Sequence, residues 1–278
     1  MEKKFIGAGL FSGLIAGIVA YVFARLFIEP QVAKAIDYEE GRSHAEEMLA
    51  GDTGAHEHGE VFTRSVQENI GAGVGTVVFA VCMGAFFAVA FTILWSYLGR
   101  RYPATDPRMV AAALGVIGFV ALFAVPFFVY PANPPAVGND DTIGARSGAF
   151  LTITLLSVAF AIVAVIITLL LRPRLGGLVS GILGALGYLV AVTITAALMP
   201  EFHEVPGPVT NDAGQIVFPG FPGDVIGDFR VYAIANQVIL WTVLTVVFAL
   251  VLGRLMRPQD QLLSTQSPQT AVRSPETR

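Results

Sequence analysis

The stretch FIGAGLFSGLIAGIVAYVFARLFI, Phe5–Ile28, decides the fold, because it is apolar almost throughout and its one charged residue, Arg25, lies near its end. An uninterrupted run of about 18 or more apolar residues is typical of a membrane span. As a helix rising about 1.5 Å per residue, this stretch crosses a hydrocarbon core of about 30 Å. A helix is expected because backbone polar groups in lipid must be satisfied within the segment.

Five more apolar runs of this kind follow along the chain. The composition agrees, with 54% hydrophobic and 14% charged residues, against about 25% charged in a typical soluble domain. Lys3 and Lys4 give the first run a basic start, but it is longer than the core of a signal peptide, and we expect a retained helix. We therefore predict an all-α polytopic membrane protein with six transmembrane helices, at Phe5–Ile28, Gly71–Leu98, Met109–Val129, Ser147–Leu171, Leu175–Met199 and Val231–Gly253.

The basic residues cluster on one side of this layout if the six helices alternate in direction. Lys and Arg near span ends favour the cytoplasmic side, so we expect both termini to be cytoplasmic. Residues 1–257 then form the transmembrane domain, with outer connections at 29–70, 130–146 and 200–230. Residues 258–278, rich in Gln, Ser, Thr and Pro, are predicted to be a disordered cytoplasmic tail. The inner basic residues next to the spans are Lys3, Lys4, Arg100, Arg101, Arg108, Arg172, Arg174, Arg254 and Arg257.

The acidic residues and histidines show the opposite distribution. In this layout all four histidines and every acid except Glu2, Asp106, Asp260 and Glu276 fall on the outer side. Acidic residues contribute little to membrane topology, so insertion does not explain the bias. An outward surface rich in negative charge raises the local concentration of cations.

Part of the first outer connection, AIDYEEGRSHAEEMLA at Ala35–Ala50, is predicted to be a short helix that places carboxylates and an imidazole on one face. The following AGDTGAHEHGEVF, Ala50–Phe62, adds two histidines. The third connection adds Glu201, His203 and Glu204. Imidazole with carboxylate suits cobalt, nickel or zinc. The alternative is a solvated acidic surface with incidental histidines. The candidate metal ligands are Glu40, His44, Glu47 (or Met48 in its place), His56, His58, His203 and Glu204.

Each of three further sequence features allows two interpretations. Gly9, Gly13 and Gly17 at four-residue spacing favour close helix packing, either within the bundle or between copies in a homo-oligomer. Asn236 and its neighbour Gln237 offer oxygen ligands in a pore or bridge two helices. The proline-rich loop from Tyr130 is either a rigid lid or a stiff connection.

Several classes of function are not supported. The spans carry no carboxylate, which argues against an autonomous proton-coupled antiporter. No phosphate-binding loop, nucleophile elbow or dinucleotide-binding glycine pattern is present, so we expect no enzyme, no catalytic residues and no cofactor. The basic residues at helix ends do not support nucleic-acid binding. Cys82, inside an apolar run, is interpreted as a small packed residue.

The chain resembles the CbtA family of predicted cobalt transporter subunits. The resemblance rests on LFIEP at Leu26–Pro30, YEE from Tyr38, the loop YPANPPAVGNDDTIGAR from Tyr130, and the layout of helices; it extends from Phe5 to about Leu255. It implies a bacterial inner-membrane subunit for cobalt uptake, with nickel as a second candidate, and a small one-helix partner that carries its own histidines. The family supplies no ligand residues to transfer. The alternative is a non-transporting assembly or sensing subunit whose outer loops bind a protein partner.

Overall fold

The structure, a computed structural model, describes residues 2–51 and 71–256. Seven α-helices and a two-stranded β-hairpin make up most of this part of the chain. The predicted tail at 258–278, and the candidate ligands His56 and His58, lie outside the described residues. The elements are α1 (Glu2–Phe23), α2 (Glu29–Ala50), α3 (Ala72–Arg101), α4 (Pro107–Phe119), α5 (Val125–Val129), α6 (Ile143–Leu198), β1 (Val209–Thr210), β2 (Ile216–Phe218) and α7 (Gly223–Leu255).

The first membrane helix does not end where its apolar run ends. A π-helical turn, Ala24–Ile28, joins α1 to α2 without a break, so one continuous helix runs from Glu2 to Ala50. The predicted helix at Ala35–Ala50 is confirmed, but it begins six residues earlier, at Glu29. Pro30 lies just after this π-helical turn, inside the continuous helix, so the hydrogen bond that its N–H would donate to the preceding turn is missing there.

Five helices within the described residues are long and apolar enough to cross a membrane: Lys3–Ala50, Ala72–Arg101, Pro107–Val129, Asp140–Leu198 and Gly223–Leu255. The chain is therefore an all-α membrane protein. The fourth of these helices contains Ser147–Leu171 and all but the last residue of Leu175–Met199, which the sequence predicts as separate spans. It is bent at Gly176, where φ is +78°, a value that glycine adopts without strain. The predicted connection at Arg172–Arg174 is instead helical.

The bend folds α6 back on itself. The Ser157 and Tyr188 hydroxyls, one on each arm, are 2.7 Å apart, and the Thr168 hydroxyl donates to the Ser180 carbonyl at 3.3 Å. The arms, residues 143–175 and 177–198, therefore pack as an antiparallel pair. Each is long enough to cross a hydrocarbon core by itself.

The pairing of the two arms predicts a specific cross-link. A Cβ placed on Gly184 lies 3.6 Å from the Thr168 Cβ, within the range for a disulfide, and a small shift of the arms relieves its 2.9 Å approach to the Ala164 carbonyl oxygen. In a background with Cys82→Ala, we expect Thr168→Cys with Gly184→Cys to form a disulfide on mild oxidation. Thr168→Cys with Gly187→Cys is the matched control, because nothing lies within 4 Å of a Cβ at Gly187. Mass spectrometry of the oxidised peptides gives the yields, and equal yields for both pairs would contradict this packing.

The helices pack around α1 and α7. Helix α1 contacts α3 and α7, α7 also contacts α4, and α6 contacts α5 and the π-helical turn Val120–Ala124. The main core contains Phe91 and Phe248, both fully buried, with their ring centroids 5.1 Å apart. Cys82 is exposed on α3, so its interpretation as a packed residue is wrong.

The glycine stripe of α1 lies against α3 in the same chain. A Cβ on Gly9 would overlap the Gly84 carbonyl oxygen, and a Cβ on Gly13 would come within 2.9 Å of the Val81 Cα. A Cβ on Gly17 would likewise lie 2.9 Å from the Val77 Cα. Such distances leave no room for a side chain. The stripe therefore serves packing within the bundle.

Contacts between distant segments define two ends of the bundle. At the arginine end, the Arg172 guanidinium lies 4.0 Å from the centre of the Tyr102 ring, and the Arg108 guanidinium packs against Gly253. At the loop end, the connections at 130–142 and 199–222 meet α2. The described basic residues that were predicted to share one side lie at helix ends, in connections or beside the bend of α6, at the arginine end. They are Lys3, Lys4, Arg100, Arg101, Arg108, Arg172, Arg174 and Arg254.

A second, smaller core closes the loop end. Helix α2 contributes Ala35 and Tyr38, the proline loop contributes Val137, and the start of α7 contributes Val225 and Ile226. Strands β1 and β2 pair antiparallel beside α2. Neither this hairpin nor the start of α7 at Gly223 is predicted by the apolar runs, so the connection at 200–230 is shorter and more ordered than expected.

Candidate functional site at the loop end

Helix α2 is held against the third connection by hydrogen bonds. The Tyr38 hydroxyl donates to the Pro219 carbonyl at 3.1 Å, and the Arg42 guanidinium donates to the Gly207 carbonyl at 2.7 Å. Arg42 also forms an ion pair with Glu46 at 2.9 Å. These contacts fix which face of α2 points away from the protein.

The predicted ligands of α2 occupy that outward face. Residues three and four positions apart align on a helix, so Glu40, His44 and Glu47 lie in one row. Glu40 and His44 are exposed and Glu47 is half-buried. Asp37, also exposed, extends the same row by one turn, although the sequence pattern did not single it out. None of the four is bonded to another side chain in the described part of the chain.

These donors do not converge on a single point. Within residues 2–51 and 71–256, no group of three or more His, Cys, Asp or Glu side chains is close enough to hold a metal ion. The row on α2 is therefore an open series of donors, and whatever His56 and His58 add lies outside the described residues.

The donors of the third connection separate into two groups. His203 and Glu201 are 85% and 86% exposed, with 3.9 Å between the His203 Nε2 and a Glu201 oxygen. Glu204 is buried instead, with 9% of its side chain exposed, and it forms an ion pair with Arg146. The Thr142 hydroxyl donates to its other oxygen. The structure thus brings His203 together with Glu201, and it directs Glu204 to an arginine.

The Arg146–Glu204 pair joins two connections that are distant in sequence. Thr142 and Arg146 lie at the start of α6, whereas Glu204 follows its end. The Arg146 guanidinium also lies against Gly138, where a Cβ would be 2.6 Å from one of its nitrogens. The proline loop is therefore packed around this ion pair, which favours its interpretation as a stiff connection.

A cavity of about 1030 Å³ opens beside the ion pair. The aromatic residues Phe123, Phe127 and Phe128 and the proline loop form one wall, and the two ends of α6 form the other. Arg146, Arg230, Glu201, His203 and Glu204 supply its ionisable groups. The proline loop, which the sequence left open as a lid or a connection, is part of the wall.

Tyr130 braces this wall from the proline loop to the end of α6. Its hydroxyl donates to the Pro200 carbonyl at 2.7 Å, and its ring lies 5.8 Å from that of Phe202. Burial raises the pKa of the Tyr130 phenol, so the neutral form that donates this bond persists at neutral pH.

The role of the two cavity arginines was not predicted from the sequence, although a signal for them was present. Arg146 and Arg230 lie in connections predicted to be outer, where the distribution of basic residues disfavours arginine. The Arg230 guanidinium donates to the Ala132 carbonyl at 3.3 Å and to the Asn133 side-chain oxygen at 2.8 Å. The presence of both arginines in connections predicted to be outer, against the usual distribution of basic residues, was the sequence signal for these two cavity residues.

Asn236 is a polar residue within α7 whose side-chain oxygen is buried. That oxygen has no hydrogen-bond partner among the described residues. Within the described part of the chain, this oxygen therefore does not form the helix–helix bridge that was one of the two interpretations of Asn236 and Gln237.

The long apolar helices, with polar residues at the arginine end and the loop end, define a multi-pass α-helical membrane protein. A family model described as probable cobalt transporter subunit (CbtA) matches residues 2–253. The chain therefore belongs to the CbtA family, as the resemblance implied, and a role as a transporter subunit is non-enzymatic. No curated protein and no solved structure matches the chain at a significant level.

Proposed function

We propose that the protein is the membrane subunit of a cobalt uptake transporter that captures the divalent ion at the loop end and passes it inward. Membership of the CbtA family supports the cobalt and transport parts of this proposal. The row Glu40, His44 and Glu47 on the outward face of α2 supports capture at the loop end, because imidazole and carboxylate are ligands that cobalt accepts. Nickel is the second candidate ion.

The loop end faces outward in this proposal, and both termini are cytoplasmic. The basic residues at the arginine end support this orientation through the charge rule. The antiparallel arms of α6 support six crossings, with Gly176 at the cytoplasmic turn. The cell membrane of a bacterium is the expected location.

The row on α2 holds too few convergent donors to retain an ion by itself. We propose that His56 and His58, which follow α2 in the chain, complete the ligand set, and that exposed His203 contributes from the third connection. Glu204 is a weaker candidate than the sequence suggested, since its oxygens are engaged by Arg146 and Thr142. A small one-helix partner with histidines is the expected second source of ligands.

Metal binding is tested by titrating Co²⁺ into the full-length protein in a neutral detergent. We expect saturable binding, and we expect His44→Gln to weaken it by roughly tenfold, because glutamine supplies no imidazole. Glu39→Gln is the matched control, because this exposed acid lies on another face of α2. His56→Gln with His58→Gln tests the proposed completion of the site.

Absence of saturable Co²⁺ binding by the unaltered protein would contradict the capture proposal. Equal weakening by Glu39→Gln and His44→Gln would show that only the general negative charge of α2 matters.

A second candidate is a non-transporting assembly or sensing subunit whose loop-end surface binds a protein partner. The absence of carboxylates from the apolar spans favours it, since ion pathways usually contain ionisable residues. Accumulation of radioactive cobalt in cells that lack other cobalt routes separates the two. Higher accumulation with the gene supports the transporter subunit, whereas equal accumulation supports the second candidate.

A further inference from the structure

The cavity at the loop end differs in chemistry from the donor row on α2. Its single buried carboxylate, Glu204, is neutralised by Arg146, and its remaining acid, Glu201, is exposed near His203. Arg230 is therefore a cation of the cavity lining without a carboxylate partner in the described residues. The Arg146 and Glu204 charges offset each other, so the unpaired charges of the lining are Arg230 and the exposed Glu201.

Arg230 is half-buried, and within residues 2–51 and 71–256 it is held by neutral acceptors. Its bonds to the Ala132 carbonyl and the Asn133 amide oxygen use its Nε and one terminal nitrogen. A guanidinium carries five N–H donors, so donors remain that bond to no oxygen of the described residues. A partly desolvated guanidinium is stabilised most by a carboxylate or phosphate, which accepts charge-assisted hydrogen bonds in its plane.

The walls of the cavity indicate which anion fits. Phe123, Phe127 and Phe150 line it below the proline loop, and Phe128 beside them is 77% exposed. Phe128 and Phe150 are exposed on helices long and apolar enough to cross a membrane, which places this side of the cavity next to lipid. Tyr130 lies where α5 ends, and tyrosine is typical of the headgroup level of a bilayer. The cavity thus joins an anion-binding group at headgroup level to an apolar wall beneath it.

We propose that this cavity binds an anionic phospholipid, with its phosphate on Arg230 and an acyl chain along Phe128 and Phe150. Basic pockets between membrane helices bind phospholipid headgroups by the same chemistry. A volume of about 1030 Å³ accommodates a headgroup and the upper part of its chains, whereas it far exceeds a hydrated metal ion. The bound lipid fills the space between the α6 hairpin and the wall formed by the phenylalanines and the proline loop. The site is distinct from the donor row on α2, although its lining includes His203, which is also proposed to contribute to metal capture.

Native mass spectrometry of the full-length protein tests this, with phosphatidylglycerol, phosphatidylcholine and glycerol 3-phosphate as probes. We expect the protein to retain phosphatidylglycerol over phosphatidylcholine by roughly fivefold, which corresponds to one basic residue at the membrane surface. Arg230→Gln should abolish this preference, and Arg230→Lys should keep most of it. Arg174→Gln, which removes an exposed charge at the arginine end, should leave it unchanged.

Loss of Arg230 also removes its hydrogen bonds to the proline loop, so a second variant is needed that keeps the arginine. Asn133→Asp places a carboxylate 2.8 Å from the Arg230 guanidinium, so it neutralises the cation and keeps the loop attached. It should also abolish the preference for phosphatidylglycerol. Equal retention of both lipids by the unaltered protein would overturn the proposal. Binding of glycerol 3-phosphate without retention of lipid would overturn it too, since the ligand would then be a soluble anion.

Discussion

Gly13→Leu is expected to destabilise the protein by about 3 kcal/mol, because the new side chain has no space between α1 and α3. The nearest backbone atoms belong to Ala80 and Val81, and a Cβ would already lie 2.9 Å from the Val81 Cα. Backbone cannot move aside as a flexible side chain does. The two helices must separate, which removes part of the main core around Phe87 and Phe91. Thermal unfolding in detergent should show a fall in Tm of roughly 10 °C.

Gly7→Leu is the matched control for this prediction. Gly7 lies on the same helix, but it is exposed and has nothing within 4 Å of a Cβ. The same substitution there adds an apolar side chain to a lipid-facing surface. A Tm for Gly7→Leu within about 2 °C of the unaltered protein is expected. An equal loss for both variants would show that α1 does not pack against α3 through its glycine stripe.

Glu204→Ala is expected to cost about 2 kcal/mol, because it leaves Arg146 without its counter-ion in a largely enclosed place. The cost is below that of a fully buried pair, since Arg146 keeps 28% of its side chain exposed. The variant also removes the acceptor of the Thr142 hydroxyl. Glu201→Ala, three residues earlier, removes a carboxylate that is 86% exposed and should change stability by less than about 0.5 kcal/mol.

A double-mutant cycle separates the ion pair from other effects of Glu204→Ala. Arg146→Met with Glu204→Ala removes both charges, so no unpaired arginine remains. We expect the double variant to recover at least about 1 kcal/mol relative to the sum of the single variants. Strict additivity of the two changes, measured by thermal unfolding, would mean that the pair contributes nothing to the loop end.

The membrane-embedded part of the fold follows from sequence because lipid imposes a simple rule. The predicted apolar runs are helical except near their ends, as at Gly176 and Met199 in the fifth run, since a span must be apolar and helical over a fixed length. The same rule says nothing about a helix that leaves the membrane. Hydropathy therefore marks Ile28 as an end although α2 continues to Ala50, and it places the start of the last span at Val231 although α7 begins at Gly223.

The loop end was predicted only in part, because its contacts join residues that are far apart in the chain. The helical spacing of Glu40, His44 and Glu47 is local, so the sequence reveals it. The pairing of Arg146 with Glu204, and of Tyr38 with Pro219, depends on how α6 and α7 return to the same end.

The turn between the two arms of α6 was predicted slightly too early in the chain. Arg172 and Pro173 suggest a turn, because proline disfavours a continuing helix. The bend lies instead at Gly176, which adopts the left-handed dihedral angles that the reversal requires.

Because the helix from Glu2 to Ala50 is continuous, the position of His44 depends on the tilt of α1. His44 lies 16 residues beyond the π-helical turn, which corresponds to about 24 Å along the helix axis. A tilt of about 10° in α1 would sweep its imidazole through about 4 Å, more than the length of a metal–ligand bond. Because Tyr38 and Arg42 fasten the same helix to the third connection, that connection must travel with it.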